Sequence, residues 1–111
     1  MSWRIVSLSS FTKNPKRLYK RDKKLPNDLK VLHQTLLANP KAGIELRNNC
    51  YNIRLANSSI PPGKSGGFRV IYYYYDGSNR LFLLTIFSKR DFENINDKTI
   101  KELAKKVNKE I

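Results

Sequence analysis

Phe68-Arg69-Val70-Ile71-Tyr72-Tyr73-Tyr74-Tyr75, an Asp76-Gly77 pair, and a second run from Arg80 to Phe87 decide how this chain folds. Both runs are dominated by β-branched, aromatic and other apolar residues, which suit a pleated, half-buried surface. Asp-Gly is a tight-turn dipeptide, and a connection this short predicts two adjacent antiparallel strands. Side chains alternate along a strand, so Val70, Tyr72 and Tyr74 share one face. Arg69 then stands on the other face with Ile71, Tyr73 and Tyr75. An arginine at that position costs burial unless it meets water or an anion.

Upstream, Tyr51, Ile53 and Leu55 alternate with Asn52, Arg54 and Ala56, which predicts a further strand. The loop at 61–67, Pro-Pro-Gly-Lys-Ser-Gly-Gly, joins it to Phe68. Its Gly63-Lys64-Ser65 looks like the tail of a phosphate-binding loop. However, Ser58 stands where that motif needs its first glycine, and a strand follows where it needs a helix. Towards the N-terminus, Trp3–Leu8 reads as a short strand. Asn14-Pro15 reads as an N-cap and first helical residue, opening a basic helix that runs to about Lys23. Pro26 opens a second helix, with Leu25, Leu29, Leu32 and Leu36 on one face, and Asn39-Pro40 and Gly43 end it. Ile100, Leu103, Ala104, Val107 and Ile111 form the stripe of a last helix, capped by Asn96 or Asp97. The order β-α-α-β-β-β-α predicts an α+β domain spanning residues 1–111. Its sheet is expected to be mainly antiparallel with three or four strands, two N-terminal helices on one face and the last helix nearby.

Composition narrows the function. The chain has 111 residues, 40% of them hydrophobic, enough for one core. It shows neither an apolar run of about 18 residues nor a charged-then-apolar leader, so a cytoplasmic location without membrane contact is expected. One cysteine, Cys50, and one histidine, His33, leave no internal disulfide and no metal site, and no cofactor motif is present. Against 9 acidic residues stand 22 Lys and Arg, a net charge of +13. Eight of these cations fall between Lys13 and Lys30, beside two carboxylates. So basic a surface lowers its energy by meeting a polyanion, and nucleic acid is the expected partner. Arg54 and Arg69, with Lys89-Arg90 at the end of the last strand, form a cationic pocket among aromatic rings, a place for a phosphate and an unstacked base. The same residues read equally as edge cations and ordinary sheet packing.

The run Cys50-Tyr51-Asn52-Ile53-Arg54-Leu55, then Gly66-Gly67-Phe68-Arg69-Val70-Ile71-Tyr72-Tyr73, then Leu83-Leu84-Thr85-Ile86-Phe87-Ser88-Lys89-Arg90-Asp91, resembles the RelE/HigB/ParE superfamily of bacterial toxins. The resemblance implies the toxin of a type II toxin–antitoxin system, with a cognate antitoxin protein as partner. In the mRNA-cleaving branch it implies a ribosome-dependent endoribonuclease that needs no cofactor and acts on translated mRNA. Carried over residue by residue, Arg69 is the active-site strand arginine and Arg90, with Lys89, the basic pair after the last strand. Arg54 takes a basic position on the preceding strand, and Lys64, Tyr73 and Tyr75 are candidate RNA contacts. Two positions depart from cleaving relatives: Asn52 replaces a second lysine, and Phe92 is the nearest ring where a tyrosine is expected. The alternative that the resemblance leaves open is a ParE-like DNA gyrase inhibitor or an inactive binding relative.

The chemistry constrains the roles. Attack of a 2′-OH on the neighbouring phosphorus needs stabilisation of the charged phosphorane, a base and an acid. Arginine supplies the first through fixed bidentate donors but does not deprotonate in proteins. The base is therefore sought in a lysine with depressed pKa (Lys89 or Lys64), a tyrosine, or a group on the ribosome.

Overall fold

The computed structural model describes residues 3–61, 67–75, 77–91 and 94–109. Strand β1 (Arg4–Ser7) leads into helices α1 (Ser9–Tyr19) and α2 (Leu25–Ala38). Then come a two-residue β2 (Ile44–Glu45), β3 (Cys50–Leu55), β4 (Phe68–Tyr75) and β5 (Arg80–Ser88). Helix α3 (Asp97–Lys105) follows and ends in a 3₁₀ turn at Lys106–Lys109. One five-stranded sheet has the order β1-β5-β4-β3-β2, antiparallel except where β1 runs parallel to β5. The expected α+β architecture and element order hold. The strand beyond the expected three or four is β2, too short to show any periodicity.

Both faces of the sheet are covered. Phe68, Val70 and Tyr72 of β4 join Tyr51, Ile53 and Leu55 of β3 beneath α1 and α2, where Leu25, Leu32 and Leu36 are buried. On the opposite face Ile71, Cys50, Phe82 and Leu84 pack under Ile100 and Val107 of the C-terminal helix. Asn96 caps α3 as expected, its side-chain oxygen accepting from the Thr99 amide at 2.8 Å. The last residue of the expected stripe, Ile111, lies outside the described residues.

Helix α1 corrects the sequence reading. It begins at Ser9, and Pro15 sits inside it instead of opening it. The missing N–H of Pro15 leaves the Phe11 carbonyl without its usual helical partner. Burial of Phe11 and Leu18, about 1.5–3 kcal/mol per side chain, favours the helix in spite of that loss. Asn14 is not a cap: its amide donates to the Thr85 hydroxyl at 2.8 Å. The reason lies in the sheet. Strand β1 pairs only with the first part of β5, up to Leu83, and α1 lies against the unpaired remainder. There the register of β4 against β5 slips between Ile71 and Tyr72, leaving Leu84 as an extra residue. The Leu84 carbonyl accepts from the Ser10 hydroxyl at 2.6 Å.

The loops at the other end of the helical layer are tied by buried polar groups. The Asp28 carboxylate, 6% exposed in the first turn of α2, accepts from the Ser58 amide at 3.1 Å and its hydroxyl at 2.7 Å. The Lys24 amide donates to Ser59 Oγ at 2.9 Å. These bonds anchor the chain that leaves β3 towards the glycine-rich loop.

Candidate functional site

At one end of the sheet β3 finishes, β4 begins and β5 finishes, so their cations meet. Arg54 and Arg69 are directly opposite one another in the β3–β4 register, and Phe87 is opposite Arg69 on β5. Alternation puts both arginines on the α3 face of the sheet, as Ile71 and Cys50 show two and four residues away. Like charges directly opposite across a ladder are destabilising, by about 0.2–1 kcal/mol. Among the described residues neither guanidinium has a carboxylate or hydrogen-bond partner. One strand further, the Lys89 amide donates to the Gly67 carbonyl at 2.9 Å, extending the β4–β5 pairing past Ser88. Lys89 is exposed beside the base of the glycine loop. Asn52, two residues before Arg54 on the same face, holds a buried side-chain oxygen with no hydrogen-bond partner among the described residues.

Arg90 is not free. Its Nη2 donates to Asp22 Oδ1 at 2.6 Å, and Asp22, just past α1, is only 1% exposed. Its neighbour Arg21 makes a two-pronged pair with Asp91, at 3.2 and 3.0 Å. Arg21-Asp22 and Arg90-Asp91 thus close on each other with signs crossed, fastening the end of α1 to the turn after β5. The Arg21 hydrogen bond holds the Asp91 carboxyl below its ordinary range, against a smaller opposing effect of burial. Its stabilisation is therefore fully present above that range and is lost as the pH falls below it, through the lowered folded-state value. Both partners are about a third or more exposed, so it amounts to no more than about 1 kcal/mol. Asp22 escaped the sequence reading. The available signal was a lone carboxylate in the middle of a run of cations.

No family model matches this sequence. Solved structures do, and two of them serve for comparison. A double arginine-to-alanine variant of the E. coli toxin RelE, in the free state, superposes with a TM-score of 0.60 at 20% identity, covering 96% of this chain and 97% of that one. The intact E. coli RelBE toxin–antitoxin complex gives 0.55 at 22% identity, over 76% of this chain and 93% of the other. The chain has a RelE-like fold.

Within that RelE-like fold the remaining candidates separate. Arg54, Arg69 and Lys89 gather at one end of the sheet, and Arg90 lies at the same end, held by Asp22. Tyr73 and Tyr75 stand four and six residues further along β4, about 13 and 20 Å away at 3.3 Å per residue. The Tyr73 ring meets Phe82 edge-on, and the Arg80 guanidinium lies 5.6 Å from the Tyr75 ring centre. Lys64 and Phe92 lie outside the described residues. Among the described residues no group of His, Cys, Asp and Glu could hold a metal ion, and no helix is long and apolar enough to cross a membrane.

Cys50 is fully buried, and burial pushes its thiol up to about 11. Almost no thiolate exists near pH 8, so a disulfide reagent should leave the native protein unmodified and react once it is unfolded. Fast modification of the native protein would contradict this burial.

Proposed function

We propose that this protein is the toxin of a toxin–antitoxin pair and acts as a ribosome-dependent endoribonuclease on translated mRNA. The observation that carries the proposal is the Arg54–Arg69 pair, two unneutralised guanidiniums opposite each other on adjacent strands. Such a pair is relieved by an anion between its members, and a phosphodiester passing through a phosphorane gains more from it as charge builds. In this reading Arg69 holds the non-bridging oxygens with parallel N–H donors and Arg54 supplies a second cation. The ribose 2′ oxygen attacks phosphorus, the 5′ oxygen leaves, and a 2′,3′-cyclic phosphate remains. Arg90, held through one nitrogen by Asp22 with a third of its side chain exposed, offers its other N–H groups to the same phosphate. Lys89, at the same end of the sheet, is a described group able to carry a proton. The net charge of +13 supports an acidic antitoxin segment as the neutralising partner, associating quickly and in a salt-sensitive way.

The test is a defined mRNA translated in a reconstituted system, with the cut ends mapped and their termini identified. Cleavage that requires ribosomes and yields cyclic phosphate ends is expected. Intact mRNA at protein concentrations that arrest growth would overturn the proposal and favour a binding toxin of the gyrase-inhibiting kind.

A further inference from the structure

Away from the arginine pair, a cleft of about 310 Å³ lies between α3 and the turn joining β2 to β3. Tyr73 of β4, half-buried, provides its one aromatic surface. Lys101 and Lys105, one turn apart on α3, line one side; Asn48 and Asn49 line the other, with Asn108 at the end. Asn48 and Asn49 have φ of 58° and 61°, the left-handed pair that a tight hairpin turn requires. That turn is closed by the Cys50 amide donating to the Arg47 carbonyl at 3.1 Å, and the Tyr74 amide donates to the Asn49 carbonyl at 2.9 Å. The wall is therefore set by backbone bonds. Among the described residues, the side-chain polar groups of these six have no partner and no carboxylate lines the cleft.

We infer that this cleft binds one nucleotide of a single-stranded RNA, its base on the Tyr73 ring and its flanking phosphates on Lys101 and Lys105. An aromatic face takes any base, ammonium groups follow the backbone, and asparagine amides meet base edges. A duplex keeps its bases stacked inside and cannot offer one to the ring. The path to the arginine pair lies on one face of the sheet. The N-terminal end of α3 sits near Thr85 and Phe87, and its C-terminal half sits near Asn48 and Asn49. The helix thus crosses diagonally from the end of β5 to the start of β3, with Lys101 and Lys105 on the side of β3. Arg54 and Arg69 lie on that same side, about 13 Å along the strands from Tyr73. The inference deepens the endonuclease reading, and rests on it only for the source of the strand: the cleft would hold the RNA at a distance from the scissile bond.

Fluorescence anisotropy with a labelled hexanucleotide RNA, single-stranded or annealed to its complement, tests this at several salt concentrations. The parent protein should prefer the single strand. Lys101→Ala/Lys105→Ala, both exposed positions, should weaken binding and reduce the log–log salt slope by about 1.4, at about 0.7 per phosphate. Tyr73→Leu keeps apolar volume under α3 and should weaken binding by roughly ten- to a hundred-fold, while Tyr73→Phe should bind like the parent. The inference fails if all three variants bind with the parent's affinity and slope, if duplex binds as well as single strand, or if a polyglutamate peptide occupies the cleft and the RNA does not. Cleavage of translated mRNA is measured in parallel. A parent that cleaves but whose binding ignores these residues removes this inference alone. A parent that fails to cleave removes the catalytic reading and leaves the binding result to stand.

Discussion

Arg69→Ala should lower mRNA cleavage by a factor of about 10²–10³ without destabilising the fold. Loss of one donor that strengthens in the transition state costs about 3 kcal/mol, which sets that factor. The stability half of the expectation is the unusual one. Arg69 faces Arg54 across the ladder with no carboxylate between them, so removing either charge relieves a repulsion worth a few tenths to about 1 kcal/mol. Thermal melting of the variant should match or slightly exceed the parent, while toxicity disappears. Arg69→Lys should recover little activity, because an ammonium does not reproduce the two parallel donors. A folded Arg69→Ala protein that cleaves near the parent rate would remove Arg69 from the site.

Arg90→Ala should behave in the opposite way, failing through stability before chemistry. Asp22 is almost wholly enclosed, and the deletion would leave it with only the Arg21 Nε, 3.6 Å away. Breaking a buried pair by removing one partner typically costs 3–5 kcal/mol. Because Arg90 is a third exposed, a value near the lower end, about 3 kcal/mol, is expected. The urea midpoint should fall by more than about 1 M for a domain of this size. Adding Asp22→Asn should restore much of the loss, since an amide is far less costly to enclose than a carboxylate. If Arg90→Ala unfolds at the parent's urea concentration, the pair is not structural. Activity measurements on Arg90 alone therefore mix two effects, and the Asp22→Asn/Arg90→Ala protein separates them.

The parts of the fold legible in the sequence were those with a repeating pattern long enough to read. The Phe68–Tyr75 alternation located both the core face and Arg69, and the short break before Arg80 located the hairpin, which closes on the Tyr75–Arg80 pair; Asp76 itself lies outside the described residues. The leucine spacing of Leu25, Leu32 and Leu36 fixed the face of α2. What failed had a local decoy or no local trace. Asn14-Pro15 has the chemistry of a cap, yet its amide is used by Thr85, 71 positions away. The true face of α1 is carried by Phe11 and Leu18 alone, one residue per two turns. Arg54 and Arg69 were readable as a shared face because strand parity gives it. The restraint of Arg90 by Asp22, separated by 68 positions, was not readable, because ion pairing leaves no period in the chain.

The parallel pairing of β1 with β5 bears on how the molecule comes into being. Arg4 lies beside Arg80 and Ser7 beside Leu83, so the first strand of the sheet has no neighbour until the last one is made. Contacts between such distant segments form late, because closing the long intervening loop costs entropy before any bond rewards it. On a ribosome adding 5–20 residues per second, the N-terminal segment waits for several seconds, roughly, with Ile5 and Val6 unpaired. Lys89, and the grip of Asp22 on Arg90, come later still. The nascent chain thus cannot assemble its cationic end until β5 and the turn after it have left the exit tunnel, so the order of synthesis itself delays the surface on which the proposed chemistry depends.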